Sequence, residues 1–254
     1  MSKTTAAERN YHAKKYIDAV FAETLKQEGF VNPDGKSISW YRVVNNELVH
    51  AVYFHATYGS VPVQGMCIES RVFPLFYKPK YYSSIYTSGS NRHFGYRVIR
   101  IDDLPDEHGT RRNSLYSNDI WVYTIVTGKK GLYTLEVDVL PWFQKVMTQA
   151  DYYQLVSDEF VKLGNDFDRQ VILSDAVALT LYYGDTEKYA AYSQWFAGFL
   201  PGYLENVLIA DKYKEERLAL KSALDGDTRE EFLQQLERGR EKTIKWLKKM
   251  GIPV

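Results

Sequence analysis

Between Asp119 and Met147 the chain reads DIWVYTIVTGKKGLYTLEVDVLPWFQKVM, and the spacing of its apolar residues changes within that stretch. A period of two specifies a strand and a period near 3.6 a helix. The change therefore divides a strand-rich front from a helix-rich back. From Asp119 to Thr127, Trp121, Tyr123 and Ile125 alternate with Ile120, Val122 and Val126. Both faces are apolar, which predicts an inner strand covered on both sides. Gly128 to Gly131 is a polar turn that suits a hairpin. Leu132 to Val139 then places Tyr133, Leu135, Val137 and Val139 on one face, with Leu132, Thr134, Glu136 and Asp138 on the other. That alternation predicts a return strand. Pro141 fits the first turn of a helix, where no N–H is needed, and Trp142, Phe143, Val146 and Met147 follow at helical spacing.

Upstream, residues 6 to 28 predict a helix with Ile17, Val20, Phe21 and Leu25 on one buried stripe. Gly29 supplies the stop, and Phe30 is expected to fold back onto the helix end. Three strands follow, over 36–44, 47–56 and 61–73. Asn45-Asn46 is the first turn, and Tyr58, Gly59 and Ser60 lie in the second. Such short connections specify an antiparallel meander. From Pro74 to Asn118 the pattern is broken by Pro79, Gly89, Gly95, Pro105 and Gly109, with one strand expected near 94–101. After Pro141 the chain stays helical. Helices are expected to end at Gly164, Gly184 and Gly226, and Pro201 is expected to open another.

These readings give an α+β chain. Residues 1–140 form an antiparallel sheet of five or six strands with the N-terminal helix on one face. Residues 141–254 form about five helices, as a bundle or stacked hairpins.

The 254 residues carry 32 acidic and 32 basic side chains. Zero net charge gives no general attraction to nucleic acid or anionic lipid. The N-terminus has no apolar core of a signal peptide, and no apolar run reaches the ~18 residues of a membrane span. A cytoplasmic location is expected. The single cysteine, Cys67, makes no internal disulfide and no Cys-based zinc site, so it reads as a small buried apolar residue.

The helix ending at Leu25, Gly29 and Phe30, the strand residues Trp40, Tyr41 and Arg42, and the helix start Leu140-Pro141-Trp142-Phe143 resemble a bacterial domain-of-unknown-function family. The resemblance runs roughly over 16–163. It implies a small α+β protein whose sheet is covered by helices. Its motifs are packing and turn motifs and imply no catalytic residue. Domains of this kind are similar to immunity proteins, which bind and block a partner.

No phosphate loop, dinucleotide fingerprint, His-Glu-x-x-His or nucleophile elbow occurs. His50 and His55 are five apart on one strand and face opposite ways, while His12, His93 and His108 fall in unrelated elements. No metal site, cofactor or catalytic residue is assigned. Glu136 and Asp138 share a strand face, a pattern that suits acid–base work but more often marks the solvent side. Tyr182, Tyr183, Tyr189, Tyr192 and Trp195 read as a helix–helix interface.

The candidate binding group is Tyr81, Tyr82, Tyr86, Arg92 and Arg97, beside the acidic Asp102, Asp103, Asp106 and Glu107. Tyrosine and arginine are enriched in protein hot spots, and the acidic neighbours repel nucleic acid. The expected function is non-enzymatic protein binding of an immunity or adaptor kind, with no nucleic-acid or membrane partner. The alternative is a hydrolase or nucleic-acid-processing enzyme built from Arg, Tyr and carboxylates without a recognisable motif.

Overall fold

A computed structural model of the chain describes residues 6–33, 39–57, 65–76, 120–122, 132, 134–162 and 166–254. Helix α1 (Ala6–Gln27) is followed by strands β1 (Ser39–Val44), β2 (Leu48–Thr57), β3 (Gly65–Pro74) and β4 (Ile120–Val122). They form one antiparallel sheet in the order β1-β2-β3-β4. A π-helical turn, Thr134–Val139, runs into α2 (Leu140–Phe143). Helices α3 (Gln149–Lys162), α4 (Asp166–Tyr183), α5 (Thr186–Glu205), α6 (Asp211–Asp225) and α7 (Arg229–Lys249) complete the chain. The architecture is α+β, a sheet with an N-terminal helix on it and a helical C-terminal region.

The chain forms two compact units. One comprises Met1–Leu75, Phe94–Gln149 and Ile244–Val254, the other Phe76–His93 and Ala150–Thr243. In the first, α1 ends where the sequence says it should. Gly29 adopts φ +78, the Phe30 N–H reaches the Leu25 carbonyl at 2.8 Å, and the Gly29 N–H reaches Lys26 at 3.0 Å. This double closure needs a left-handed residue, which glycine supplies without a Cβ clash. It drives Phe30 into the core. The β1–β2 turn has Asn45 and Asn46 both at positive φ, 52° and 56°. Two such residues make the turn whose twist matches paired strands, and asparagine tolerates the conformation best after glycine.

Strand β2 is buried along both faces from Leu48 to Phe54. On one face Phe54 meets Phe21 of α1 at a centroid distance of 4.7 Å, and His50 stacks on Phe143 of α2 at 4.4 Å. On the other, Tyr53 meets Tyr41 of β1, and Tyr41 meets Trp246 near the end of α7. The sheet thus lies between α1 and α2 on one side and the chain's C-terminal end on the other. Ile17, Phe21 and Leu25 are fully buried, and Val20 sits half-buried at the edge of their stripe.

Three readings of the sequence need correction. The described sheet has four strands, because 134–139 are helical and do not return to it. Leu135, Val139 and Phe143 are fully buried while Glu136 and Val137 are exposed, the four-residue repeat of a helix. Period two and period four coincide over so short a run. Pro141 lacks the N–H that a regular α-turn would use, and the wider turn just upstream absorbs the change of register. Second, β4 stands at the end of the strand order among the described residues, not inside it. Third, Pro201 lies within α5 and does not start a helix. Ala197, whose carbonyl the proline leaves without its N–H, is exposed, so water can satisfy it. The predicted strand near 94–101 and the turn at 128–131 lie outside the described residues, as does Gly164.

In the second unit α4 is the central helix, with every residue from Asp175 to Leu181 buried. Helix α5 packs on α4 and α6. Gly239 of α7 faces the Phe76 backbone, and a Cβ there would lie 2.2 Å from the Phe76 carbonyl oxygen.

Two outcomes follow. Phe143→Ala is expected to lower unfolding free energy by about 3 to 5 kcal/mol in denaturant melts, as for other fully buried aromatics. Gly239→Ala ordinarily gains about 1 kcal/mol of helix propensity. Here the blocked Cβ should reverse the sign and lower the thermal midpoint.

Candidate functional site

Three places gather polar or exposed apolar chemistry. The first is inside the sheet unit. Arg42 of β1 pairs across the ladder with His50 of β2. Its Nη1 donates to the Glu28 carbonyl at 2.8 Å and meets the Glu28 carboxylate at 3.3 Å. Its Nε donates to His50 Nδ1 at 3.3 Å, and the guanidinium lies 4.6 Å from the Phe30 ring centroid. Because Nδ1 accepts, His50 carries its proton on Nε2 and donates to the Val146 carbonyl at 2.7 Å. Burial, with the Arg42 charge added, lowers the His50 pKa to about 3, against the opposing effect of the Val146 bond. The imidazole is neutral at physiological pH and both nitrogens are occupied. It is a packing group whose two ring nitrogens are both engaged within the fold.

The second place lies between α3, α4 and α5. Adjacent tyrosines of α3 diverge. Tyr152 is buried and its hydroxyl donates to Asp175 of α4. Burial alone raises both pKa values, so the Asp175 carboxyl is held neutral far above the usual carboxylate range. Tyr153 turns the other way. Its hydroxyl donates to Asp185 at 2.8 Å and lies 3.3 Å from the Thr180 hydroxyl. Asp185 also caps α5 by accepting from the Lys188 N–H at 3.2 Å, and the Lys188 ammonium is 3.2 Å from the carboxylate. That ammonium sits 4.1 Å from the Tyr153 ring centroid. Burial pushes the Tyr153 pKa up to about 12. Burial would raise Asp185 as well, but hydrogen bonds from Tyr153 and Lys188 outweigh it and lower the pKa. A protonated phenol, an ionised carboxylate and an ammonium thus satisfy one another. The group is charge-balanced and closed, and it supplies a cap and a helix junction, not a nucleophile or a base.

The third place is on the surface of α5 and its exit. Tyr192, Phe196 and Leu200 recur every four residues and are buried. One residue away at each turn run Trp195, Phe199 and Tyr203, all half-buried. Trp195 stacks on Phe199 at 4.5 Å and 15°, Phe199 meets Tyr203 at 5.1 Å, and Phe160 of α3 meets Trp195 edge-on at 5.5 Å. This aromatic row leads to the α5–α6 turn. There the Asn206 side chain accepts from the Leu208 N–H at 2.9 Å, and the Ile209 N–H reaches the Asn206 carbonyl at 3.2 Å. The doubly closed turn holds Val207 91% exposed and Leu208 90% exposed. Arg217 of α6 lies buried beside Tyr203, with the guanidinium 6.0 Å from the ring centroid.

The sequence candidates distribute unevenly over these places. Tyr81, Tyr82, Tyr86, Arg92 and Arg97 lie outside the described residues, as do the acidic residues 102–107. Glu136 is exposed on the π-helical turn and accepts from the Thr24 hydroxyl at 3.3 Å, so the strand-face carboxylate pair it was to form with Asp138 does not exist as a strand feature. Tyr192 is buried in a helix–helix contact as expected, while Tyr182 and Tyr183 are exposed at 48% and 41%. Val207 and Leu208 were not singled out. The signal was present: Asn206-Val207-Leu208-Ile209-Ala210 is an apolar turn between helices, where polar residues are the norm. Among the described residues no three His, Cys, Asp or Glu side chains gather as a metal set, and no described helix is long and apolar enough to cross a membrane. A scan with protein-family models, a search of curated proteins and a search of solved structures return no match, so no residue role is carried over from a known protein.

The neutral imidazole sets a pH dependence. Unfolded, His50 takes up a proton as pH falls below about 6.5; folded, it does so only near 3. Its contribution to stability is intact above pH 6.5 and is lost progressively down to pH 3. Between pH 6.5 and 4.5 the loss should be about 2 to 3 kcal/mol at 1.36 kcal/mol per unit. Urea melts of the wild type and His50→Gln at pH 7 and 4.5 check this: the variant, though weaker at pH 7, should lose less on acidification.

Proposed function

We propose that the protein works by association with another protein, through the α5–α6 turn and the aromatic row beside it. The observation that carries this reading is the adjacent pair Val207 and Leu208, about nine-tenths exposed on a turn locked by the Asn206 side chain. Leaving two large aliphatic side chains in water forgoes about 1.5 to 3 kcal/mol each of burial energy. A flexible loop could fold such residues back; this turn holds them out. Single exposed apolar residues need no explanation, but an adjacent pair beside half-buried Trp195, Phe199 and Tyr203 is the composition of an interface core. Aromatic anchors on a rigid element contribute area at small entropic cost.

An enzymatic reading has less support. In the two polar groups described above, Arg42 Nη2 and Asp175 Oδ1 are buried without a hydrogen-bond partner, while His50 is held neutral and Asp185 is paired with Lys188. An adaptor or immunity-like role is the form of association closest to these features, since such proteins act by occupying a partner's surface.

Affinity capture from the source cells tests the reading. Leu208→Asp should abolish recovery of the specific partner while leaving the thermal midpoint within about a degree, because the side chain has no packing to lose. Equal recovery with wild type and variant would remove this turn from the function.

A further inference from the structure

The charge around the apolar turn narrows what can cover it. Glu205 closes α5 on one side, and Asp211, Glu215 and Glu216 open α6 on the other; all four are exposed. Of the basic residues in 205–217, Arg217 is buried and Lys214 half-buried. Lys212 is exposed, but its ammonium rests 4.6 Å from the Tyr213 ring centroid. Asp211 and Glu215 are one helical turn apart, so their carboxylates share a face. The stretch 205–217 has four acidic and three basic residues, so it carries one net negative charge, and Val207 and Leu208 are an apolar tip whose exposed charged neighbours are mostly carboxylates. Two occupants fit badly. A second copy docked by twofold symmetry would bring like carboxylates together around the axis. An anionic bilayer would repel the same carboxylates as the tip approached it. The complementary surface is an apolar pocket rimmed by lysine and arginine.

Resting on the association proposed above, we infer that the partner is a protein presenting such a basic-rimmed apolar pocket, with Leu208 and Val207 filling the pocket and Glu205, Asp211 and Glu215 facing its rim. Desolvated aliphatic contact supplies the slow dissociation, and the carboxylates supply orientation and a salt-dependent approach. The same acidic surround discriminates against apolar grooves with acidic rims, which otherwise offer similar burial.

The test uses the full chain with a photo-crosslinking p-benzoylphenylalanine at position 207, and the protein it captures is identified and purified. Its affinity is then measured for wild type, Leu208→Asp and the double variant Glu205→Lys/Asp211→Lys, at low and high salt. The expected pattern is about 30-fold weaker binding for Leu208→Asp at both salts, the size of a hot-spot loss. The double variant should be about tenfold weaker at low salt, with the salt dependence flattened. Equal or tighter binding by the double variant overturns the basic rim while leaving the association intact. Unchanged binding by Leu208→Asp overturns the use of this turn altogether. In parallel, sedimentation equilibrium should show no Leu208-dependent dimer, and vesicles of phosphatidylglycerol and phosphatidylcholine should not retain the protein. A dimer or vesicle binding lost in Leu208→Asp, or no crosslinked protein at all, rejects the inference.

Discussion

The sheet unit depends on one half-buried cation, Arg42. Arg42 sits where four segments meet: the end of α1 through the Glu28 carbonyl, its own strand β1, His50 of β2, and the aromatic rings of Phe30 and Phe143. A guanidinium taken out of water is costly unless its donors are used and its faces covered. Here Nη1 reaches Glu28 and Nε reaches His50, Nη2 has no hydrogen-bond partner, and the faces meet aromatic rings, which offer their negative π surfaces. Each partner is in turn placed by something local. Phe30 is delivered by the glycine closure of α1, and His50 is directly opposite Arg42 in the ladder. His50 passes the constraint on, since its Nε2–H fixes the Val146 carbonyl just after α2. Helix end, two strands and the turn after α2 are thereby set by one side chain. Burial of the imidazole keeps His50 neutral, and the Arg42 charge beside its Nδ1 acts in the same direction.

What could be read from the sequence follows from how local each determinant is. Gly29-Phe30 and Asn45-Asn46 are decided within a few residues by backbone sterics, and both were legible. The Ile17, Phe21 and Leu25 stripe is one helix's own pattern and was legible too. Residues 134–139 were misread because Leu135 and Val139 satisfy two periods at once, and only the exposure of Val137 between them separates the helix from the strand. Pro201 was misread because a proline inside a helix costs little where the carbonyl it leaves free faces water. The cover on the second sheet face, Trp246 against Tyr41, joins residues 205 positions apart in the chain. No local pattern announces such a contact.

The polar groups show how buried chemistry can serve architecture alone. Tyr152 and Asp175 keep a neutral hydrogen-bonded pair within the apolar surroundings of α4, where an ionised carboxylate would be expelled or paired with a cation. Tyr153, Asp185 and Lys188 do the reverse at the α4–α5 corner: the carboxylate and the ammonium stay charged and match each other, and the neutral phenol donates to the carboxylate. Perturbed pKa values often mark active sites, but the inference requires an open position where a substrate atom could meet the perturbed group. Around Asp185 that position is taken by Tyr153 and Lys188, and in the other pair one Asp175 oxygen takes the Tyr152 hydroxyl while the second is buried without a partner. The shifts therefore report packing.

The surface of α5 follows a different logic. Its inner stripe, Tyr192, Phe196 and Leu200, is buried, while the neighbouring stripe is half-buried, with Trp195 against Phe160 of α3 and Tyr203 beside Arg217 of α6. Trp195, Phe199 and Tyr203 are stacked on one another and hold fixed positions without being fully covered. The turn beyond them is closed by a side chain–backbone bond and a backbone bond, which removes the freedom that an exposed loop would otherwise lose on binding. Exposure of Val207 and Leu208 is then a stable state of the fold, since collapse would require breaking the Asn206 bonds. A chain that stabilises the exposure of apolar side chains forgoes burial energy within itself, and that energy can be recovered only by covering them from outside. The acidic residues on both flanks keep such surfaces apart from one another while they wait, because like-charged tips repel before their apolar parts can touch.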